Sequence, residues 1–290
     1  MTQRPPWQAF RAALVQRGFK PSRRLGQNFL LDENMVRAIV RDAKVAAGDF
    51  VLEVGAGCGF LSLHLLDAGV RLVCVEIDER LIPIASGLVA GHGDVRFLHC
   101  DALAGKHALA PEIEALLPER SPWHLVSNLP YSISGPLLAV LAAHARAPAT
   151  MTVLVQSEVA DRIAAKPGTK SWGTLSIRLQ ARYLPSIVRP VPPELFWPRP
   201  QVDSALVRLE RRQDCAGADE LRRLDALAGD LFQSRRQSLG RVLARRCGDR
   251  ALGLAILAAA GLDPALRAET LDLAALLDLS RRLEGPSALC

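Results

Sequence analysis

Phe50-Val51-Leu52-Glu53-Val54-Gly55-Ala56-Gly57-Cys58-Gly59 is the stretch from which the fold is read. Its first five residues form a short, mostly apolar run, the pattern of a strand buried on both faces of a parallel sheet. Three glycines at every second position follow, and then residues 60–68 read as an apolar helix. Strand, glycine loop and helix make the first unit of a nucleotide-binding α/β domain. Glycine lets backbone N–H groups come close to a ligand at the positive end of the helix. The spacing is GxGxG, not GxGxxG, and an acid, Glu53, precedes it. That favours adenosylmethionine, whose amino-acid tail the loop must accept, over a pyrophosphate-bearing dinucleotide. On these residues alone a dehydrogenase stays open as the alternative.

Working outward, a second strand at 72–76 ends in Glu76. A carboxylate about 20 residues past the loop is placed to accept both hydroxyls of a ribose. A third strand, 95–98, leads to Asp101, positioned to accept from an adenine amine. A fourth, 124–127, runs into the turn Asn128-Leu129-Pro130-Tyr131. Asn128 offers an amide carbonyl and NH2, Pro130 stiffens the turn, and Tyr131 offers a flat face. These suit the gripping of a planar base that carries an exocyclic amine. Each polar residue also has a plain reading as a strand-end acid or a loop amide. A doubly wound sheet would nevertheless bring Glu53, Glu76, Asp101 and Asn128 into one crevice. Strands at 152–156, 185–191 and 202–210 complete a set of seven. Between the last two, Phe196-Trp197-Pro198-Arg199-Pro200 reads as a rigid aromatic loop, either a stacking platform or a core Phe. Upstream, Gly26-Gln27-Asn28-Phe29-Leu30 precedes a helix at 33–44 with Asp32 as its N-cap, and by itself could be simple capping.

The 290 residues are 49% hydrophobic and 23% charged, which fits one large or two modest globular domains. No apolar run reaches the ~20 residues needed to cross a bilayer. The N-terminus lacks the apolar core of a signal peptide, and the six cysteines show no CxxC pair. A reducing cytoplasm is therefore expected. The six histidines are scattered without ligand spacing, so no metal is expected. Net charge is +6 overall, but residues 1–41 hold eight Arg/Lys against two acids, while 42–127 hold six against twelve. Basic ends around an acidic middle fit an enzyme core that grips a polyanion. Arg4, Arg11, Arg17, Lys20, Arg23 and Arg24 belong to a basic amphipathic segment. A basic loop at 166–170 is expected to be mobile. The chain is divided into an α/β domain, 1–210, and a helical domain, 220–290. In the latter, Arg235, Arg236, Arg241, Arg245, Arg246 and Arg250 face only Asp249 as a balancing acid and read as a phosphate-binding surface.

Taken in order, several motifs resemble the ribosomal RNA adenine dimethylase family over about residues 22–245. They are Gly26-Gln27-Asn28-Phe29-Leu30, the Glu53-to-Gly59 loop, Glu76-Ile77-Asp78, Asp101-Ala102-Leu103 and Asn128-Leu129-Pro130-Tyr131. Gln156-Ser157-Glu158-Val159-Ala160, Gly173-Thr174-Leu175-Ser176, the run from Phe196 to Ser204 and Phe232-Gln233-Ser234-Arg235-Arg236 continue the likeness. The resemblance implies a Rossmann-like class I methyltransferase with a seven-stranded, mostly parallel sheet and a small all-α C-terminal domain. It implies S-adenosyl-L-methionine as donor, held by Asn28, Leu30, Gly55, Glu76, Asp101 and Asn128. It implies catalysis by the Asn128, Leu129, Pro130 and Tyr131 turn, with Phe196 across the target adenine from Tyr131. Arg235, Arg236 and Arg241 would contact RNA. The implied substrate is a pair of adjacent adenosines in a hairpin near the 3′ end of 16S RNA in the small ribosomal subunit, modified by a monomer. The alternatives are a large-subunit rRNA adenine methylase that confers antibiotic resistance, or an assembly or transcription factor of the same fold. Ala56 and Trp172 depart mildly from the family pattern. The Arg235-to-Leu243 run lacks a Lys and an Asn often found there, which bears on RNA contacts rather than on the donor site.

Overall fold

A computed structural model describes residues 7–283 apart from Arg17, Arg23, Lys106 and His107, with only the backbone of Gln8, Ala9 and Ala13. Arg4, Arg17 and Arg23 of the basic N-terminal segment, and Cys290, thus lie outside the described residues. The strands are β1 (Phe29–Leu30), β2 (Phe50–Val54), β3 (Arg71–Glu76), β4 (Val95–His99) and β5 (Trp123–Asn128). They continue with β6 (Thr150–Gln156), β7 (Tyr183–Val191), β8 (Phe196–Trp197) and β9 (Ser204–Arg211). Seven strands form one sheet in the order β4-β3-β2-β5-β6-β9-β7, and β1 pairs antiparallel with β8 apart from it. The pairs β2–β3, β2–β5, β3–β4 and β5–β6 are parallel, and β9 runs antiparallel to β6. All of β2 is buried, as is β3 beyond Arg71, which is why both read as near-continuous apolar runs. The direction of winding reverses between β2 and β5. At such a switch point the carboxyl ends of the two strands part and leave a crevice.

The helix Glu33–Ala43 shows how sequence sets an element's limits. The Asp32 carboxylate accepts the Met35 N–H at 2.7 Å, capping the start, and Lys44 in the left-handed region (φ 54°) ends it. Val36, Ile39 and Ala43 are buried at helical spacing. The last carbonyls, of Asp42 and Ala43, accept the buried Arg208 guanidinium of β9. That places a cation at the negative end of the helix dipole. Ile39, Val51, Leu65, Val126 and Leu154 are wholly enclosed in the core beside it. Cutting Ile39, Leu65 or Leu154 back to Ala would cost about 2–5 kcal/mol.

The chain divides into two compact units, residues 1–160 with 186–211, and residues 161–185 with 212–290. The second unit therefore takes in a segment that the sequence boundary at 210 leaves in the first. Trp172 and Ile177 explain the difference, because their buried neighbours are the leucines of the C-terminal helices. Trp172 Nε1 also donates to the Leu271 carbonyl at 3.1 Å. Periodicity along the chain does not reveal a partner so distant in sequence. Within this unit, the helix Ala218–Gln233 buries Leu221, Leu224, Leu227, Ala228 and Leu231 along one stripe. The helices Leu239–Cys247, Arg250–Ala259 and Leu273–Arg282 contribute to the same core. The basic loop at 166–170, expected to be mobile, is tied down. Gly168 N–H donates to the Glu269 carbonyl at 2.6 Å, and Arg235 donates to the Lys170 and Thr169 carbonyls at 2.9 and 3.1 Å. Among the described residues, no helix is long and apolar enough to cross a membrane.

Candidate active site

The crevice beyond β2, β3 and β5 holds a cavity of about 250 Å³. Its wall contains Asn28, Leu30, Gly55, Glu76, Asp101 and Asn128, together with Leu129, Pro130 and Tyr131. The six donor-side residues implied by the family resemblance, and the four-residue turn, are thus brought together.

The glycine loop sets the geometry. Gly55 and Gly57 have φ of 78° and 59°, which side chains rarely adopt. The Gly55 and Ala56 N–H groups both donate to the Val75 carbonyl, at 2.8 and 3.2 Å. Gly57 N–H donates to Glu76 Oε2 at 2.8 Å, and Asp78 N–H to Oε1 at 2.9 Å. Backbone donors on both carboxylate oxygens fix Glu76, and each oxygen has more than one lone pair with which to accept a hydroxyl of a vicinal diol. Glu76 is only 6% exposed, and this burial pushes its pKa up against the pull of the backbone N–H bonds. A Cβ on Gly55 would lie 2.9 Å from Cγ and Cδ of Pro130, so loop and turn touch directly.

Asn128 Nδ2 donates to the Asn28 carbonyl at 3.1 Å, and Asn28 Nδ2 donates in turn to the Gly26 carbonyl at 3.1 Å. With its NH2 so committed, the Asn128 amide presents Oδ1 as its acceptor. Asp101 is exposed and accepts the Leu103 N–H through Oδ1 at 3.0 Å. The Tyr131 hydroxyl shares a 2.7 Å hydrogen bond with Ser204 Oγ of β9, which fixes the ring by its far end. Burial raises the Tyr131 phenol above its ordinary pKa.

Two sequence expectations meet a different arrangement. Glu53 also touches the cavity, but its carboxylate is turned inward, accepting from Ser62 Oγ at 2.5 Å and from Cys74 Sγ at 3.5 Å. It is 2% exposed, and burial pushes its pKa up to about 8. The crevice is therefore edged by Glu76, Asp101 and Asn128, with Glu53 behind them. Phe196 is 5% exposed and packs in the core with Leu30, its register partner in the β1–β8 pair, rather than in the cavity wall. The core reading of that ring is the one the structure supports. The half-exposed aromatic of this loop is Trp197, with the Phe29 ring centroid at 5.9 Å and the Arg11 guanidinium 5.2 Å above it. Ser204 carries no signal in the sequence beyond its place at the end of the Pro-bounded run, and Gln27, which lies in the cavity wall beside Asn28, carries none beyond that neighbour.

The arginine cluster of the helical unit is less free than its sequence suggests. Arg235 is taken up by the 166–170 loop and lies 3.8 Å from Glu269. Arg246 pairs with Asp230, and Arg245 donates to Ser234 Oγ at 2.8 Å. Asp230 and Glu269 add to Asp249 as balancing acids. Arg236 and Arg241 are exposed.

A mostly parallel seven-stranded sheet with a glycine loop facing a fixed carboxylate defines a class I methyltransferase. The family model described as "Ribosomal RNA adenine dimethylase" matches residues 18–284. The ribosomal RNA small subunit methyltransferase A of Leifsonia xyli is 44% identical over 271 residues, covering 91% of this chain and 93% of the relative. The crystal structure of the 23S rRNA methyltransferase ErmE has a TM-score of 0.67 at 26% identity, covering 88% of this chain and 99% of that one. A dimethyladenosine transferase structure from Plasmodium falciparum has a TM-score of 0.70 at 23% identity, covering 86% and 94%. The chain belongs to the ribosomal RNA adenine dimethylase family, and its methyl donor is S-adenosylmethionine. The residues present fit that donor: Glu76 would accept the hydroxyls of a ribose, Asp101 at the next strand end would accept from an adenine amine, and the glycines would let the chain come close.

Proposed function

We propose that the protein dimethylates the exocyclic amines of two adjacent adenosines in a hairpin near the 3′ end of 16S RNA in the small ribosomal subunit. The observation that carries this reading is the Asn128 amide, locked by Asn28 so that an acceptor stands in the wall of the cavity that holds Glu76. When bound, S-adenosylmethionine supplies an activated methyl group on a sulfonium. The protein's task is to present the nucleophile. An adenine amine is weakly nucleophilic because its lone pair is delocalised into the ring. Asn128 Oδ1 and the Leu129 carbonyl accept the two amine hydrogens and favour a pyramidal nitrogen. Tyr131, held by Ser204, stacks on the swung-out base and restricts its rotation. Transfer breaks the sulfonium–methyl bond, leaving the thioether S-adenosylhomocysteine, and the methylated amine then releases one proton to solvent. It keeps a single hydrogen, so only one of the two acceptors serves the second round. Arg236 and Arg241 contact phosphates of the RNA.

The likeness to a large-subunit methyltransferase, at 26% identity, makes the large subunit the second reading. The 44% identity to a small-subunit enzyme favours the first. Purified small and large subunits, each incubated with the protein and methyl-labelled donor, separate the two by mass mapping of modified adenosines. Dimethyladenosine in small-subunit RNA is expected, and product confined to the large subunit would overturn the proposal.

A further inference from the structure

Asp78 stands behind the donor cavity rather than in its wall, yet it touches both sides of it. Its backbone N–H donates to Glu76 Oε1 at 2.9 Å. Its Oδ2 accepts from Gln27 Nε2 at 2.8 Å, bridging to the opposite wall. Arg80 completes the group, donating to Oδ1 and Oδ2 at 2.8 and 2.7 Å. That guanidinium lies 5.3 Å over the Phe19 ring, which is 6.0 Å from the Phe29 ring. Gln27 is itself clamped, its Oε1 accepting the Ser22 N–H at 2.7 Å and its own N–H donating to the Ser22 carbonyl at 3.3 Å. The next residue, Asn28, supplies the carbonyl that fixes Asn128.

We propose that Asp78 is a positioning residue that holds the Gln27–Asn28 wall in register with Glu76, and that the Arg80–Asp78–Gln27 bridge sets the affinity for the donor rather than the rate of methyl transfer. The proposal rests on reading this cavity as the donor site. Arg80 holds the Asp78 carboxyl down to about 2, so the bridge is charged throughout the neutral range. Hydrogen bonds to a charged, mostly buried acceptor are stronger than neutral ones, whereas an exposed pair would add little. Asp78 is 6% exposed. No atom of Asp78 or Arg80 needs to meet the acceptor base for this role.

The test compares Asp78→Asn, Gln27→Ala and Arg80→Ala with the unaltered protein. The probe is S-adenosylhomocysteine, titrated calorimetrically, and a second readout is trypsin cleavage after Arg24 with and without that ligand. The dissociation constant should rise by about tenfold in Asp78→Asn and Gln27→Ala, and by less in Arg80→Ala. Cleavage after Arg24 should be faster in all three without ligand. At saturating donor, kcat of Asp78→Asn and Arg80→Ala should stay within about twofold, so the loss appears in KM for the donor. Gln27→Ala leaves the Asp78–Arg80 pair intact and gives the same readout if Asp78→Asn lowers stability. Unaltered affinity and cleavage in Gln27→Ala and Asp78→Asn would overturn the proposal, as would a fall in kcat at unchanged affinity. An unaltered protein that does not bind the probe would remove the donor reading itself.

Discussion

Gly55→Ala tests the contact between the glycine loop and the Asn128 turn. At φ 78° an alanine adopts a left-handed backbone, at a cost of about 1–2 kcal/mol. Its Cβ would meet the Pro130 ring carbons at 2.9 Å, well inside van der Waals contact. A closed pyrrolidine ring has no rotamer into which it can retreat, so overpacking adds about 1–3 kcal/mol. Pro130 is also anchored from behind, because Leu129 is buried and its N–H donates to the Leu154 carbonyl at 3.1 Å. The strain is relieved only by shifting the turn that carries Asn128 and Tyr131. A displacement approaching 1 Å at a reacting centre costs about 100-fold in rate. We expect urea unfolding followed by circular dichroism to show a loss of about 2–5 kcal/mol. Methyl transfer to small subunits should fall about 100-fold in kcat/KM. Gly87→Ala is the control, since that glycine lies in the helix Ile82–Val89 with nothing within 4 Å of the added carbon. It should be neutral or stabilising by up to about 1 kcal/mol. A Gly55→Ala protein that keeps kcat/KM within about threefold and unfolds at the same urea concentration as the parent would refute a rigid contact between loop and turn.

Asn128→Ala should abolish transfer while RNA binding, measured by filter retention, stays close to wild type; measurable turnover in that variant would refute the role given to the amide. Arg236→Glu with Arg241→Glu should weaken RNA binding and lower the slope of log affinity against log salt by about one for each phosphate that is no longer neutralised. Arg235→Ala should instead loosen the 166–170 loop, seen as faster amide exchange there. Glu53 gives a pH signature. Its native pKa is raised from 4.5 to about 8, so the native state keeps a proton that the unfolded chain gives up. Its favourable contribution is therefore complete below pH 4.5 and lost as pH rises to about 8, at up to about 1.4 kcal/mol per unit between them. Glu53→Gln should flatten that decline in denaturation midpoints, and parallel profiles for the two proteins would contradict the assignment.

The parts of the fold visible in the sequence are those that local chemistry dictates. The buried runs of β2 and β3, the positive-φ glycines, the Asp32 cap and the leucine stripe of Ala218–Gln233 each announce themselves over a few residues. The donor side of the cavity was legible for the same reason, since strand ends in a doubly wound sheet fall in order along one edge. Pairings between distant segments were hidden. Phe196 reads equally well as a platform or a core ring until its register with Leu30 is known. Trp172 could not show that its neighbours would be leucines of the C-terminal helices. Arg235 looks like a phosphate ligand until the carbonyls of residues 169 and 170 are found beside it. Gln27 gives no hint of Asp78, because an amide within a turn is satisfied by many partners.

The hydrogen bond from Tyr131 to Ser204 bears on the order in which the protein is made. Every residue of the cavity wall has been incorporated once Ile133 is added, but the anchor of the aromatic ring arrives only with β9. A nascent chain that stops at Pro200 therefore carries every residue of that wall and lacks the hydroxyl that holds the Tyr131 ring. The grip on the aromatic ring is thus completed 73 residues after the ring itself.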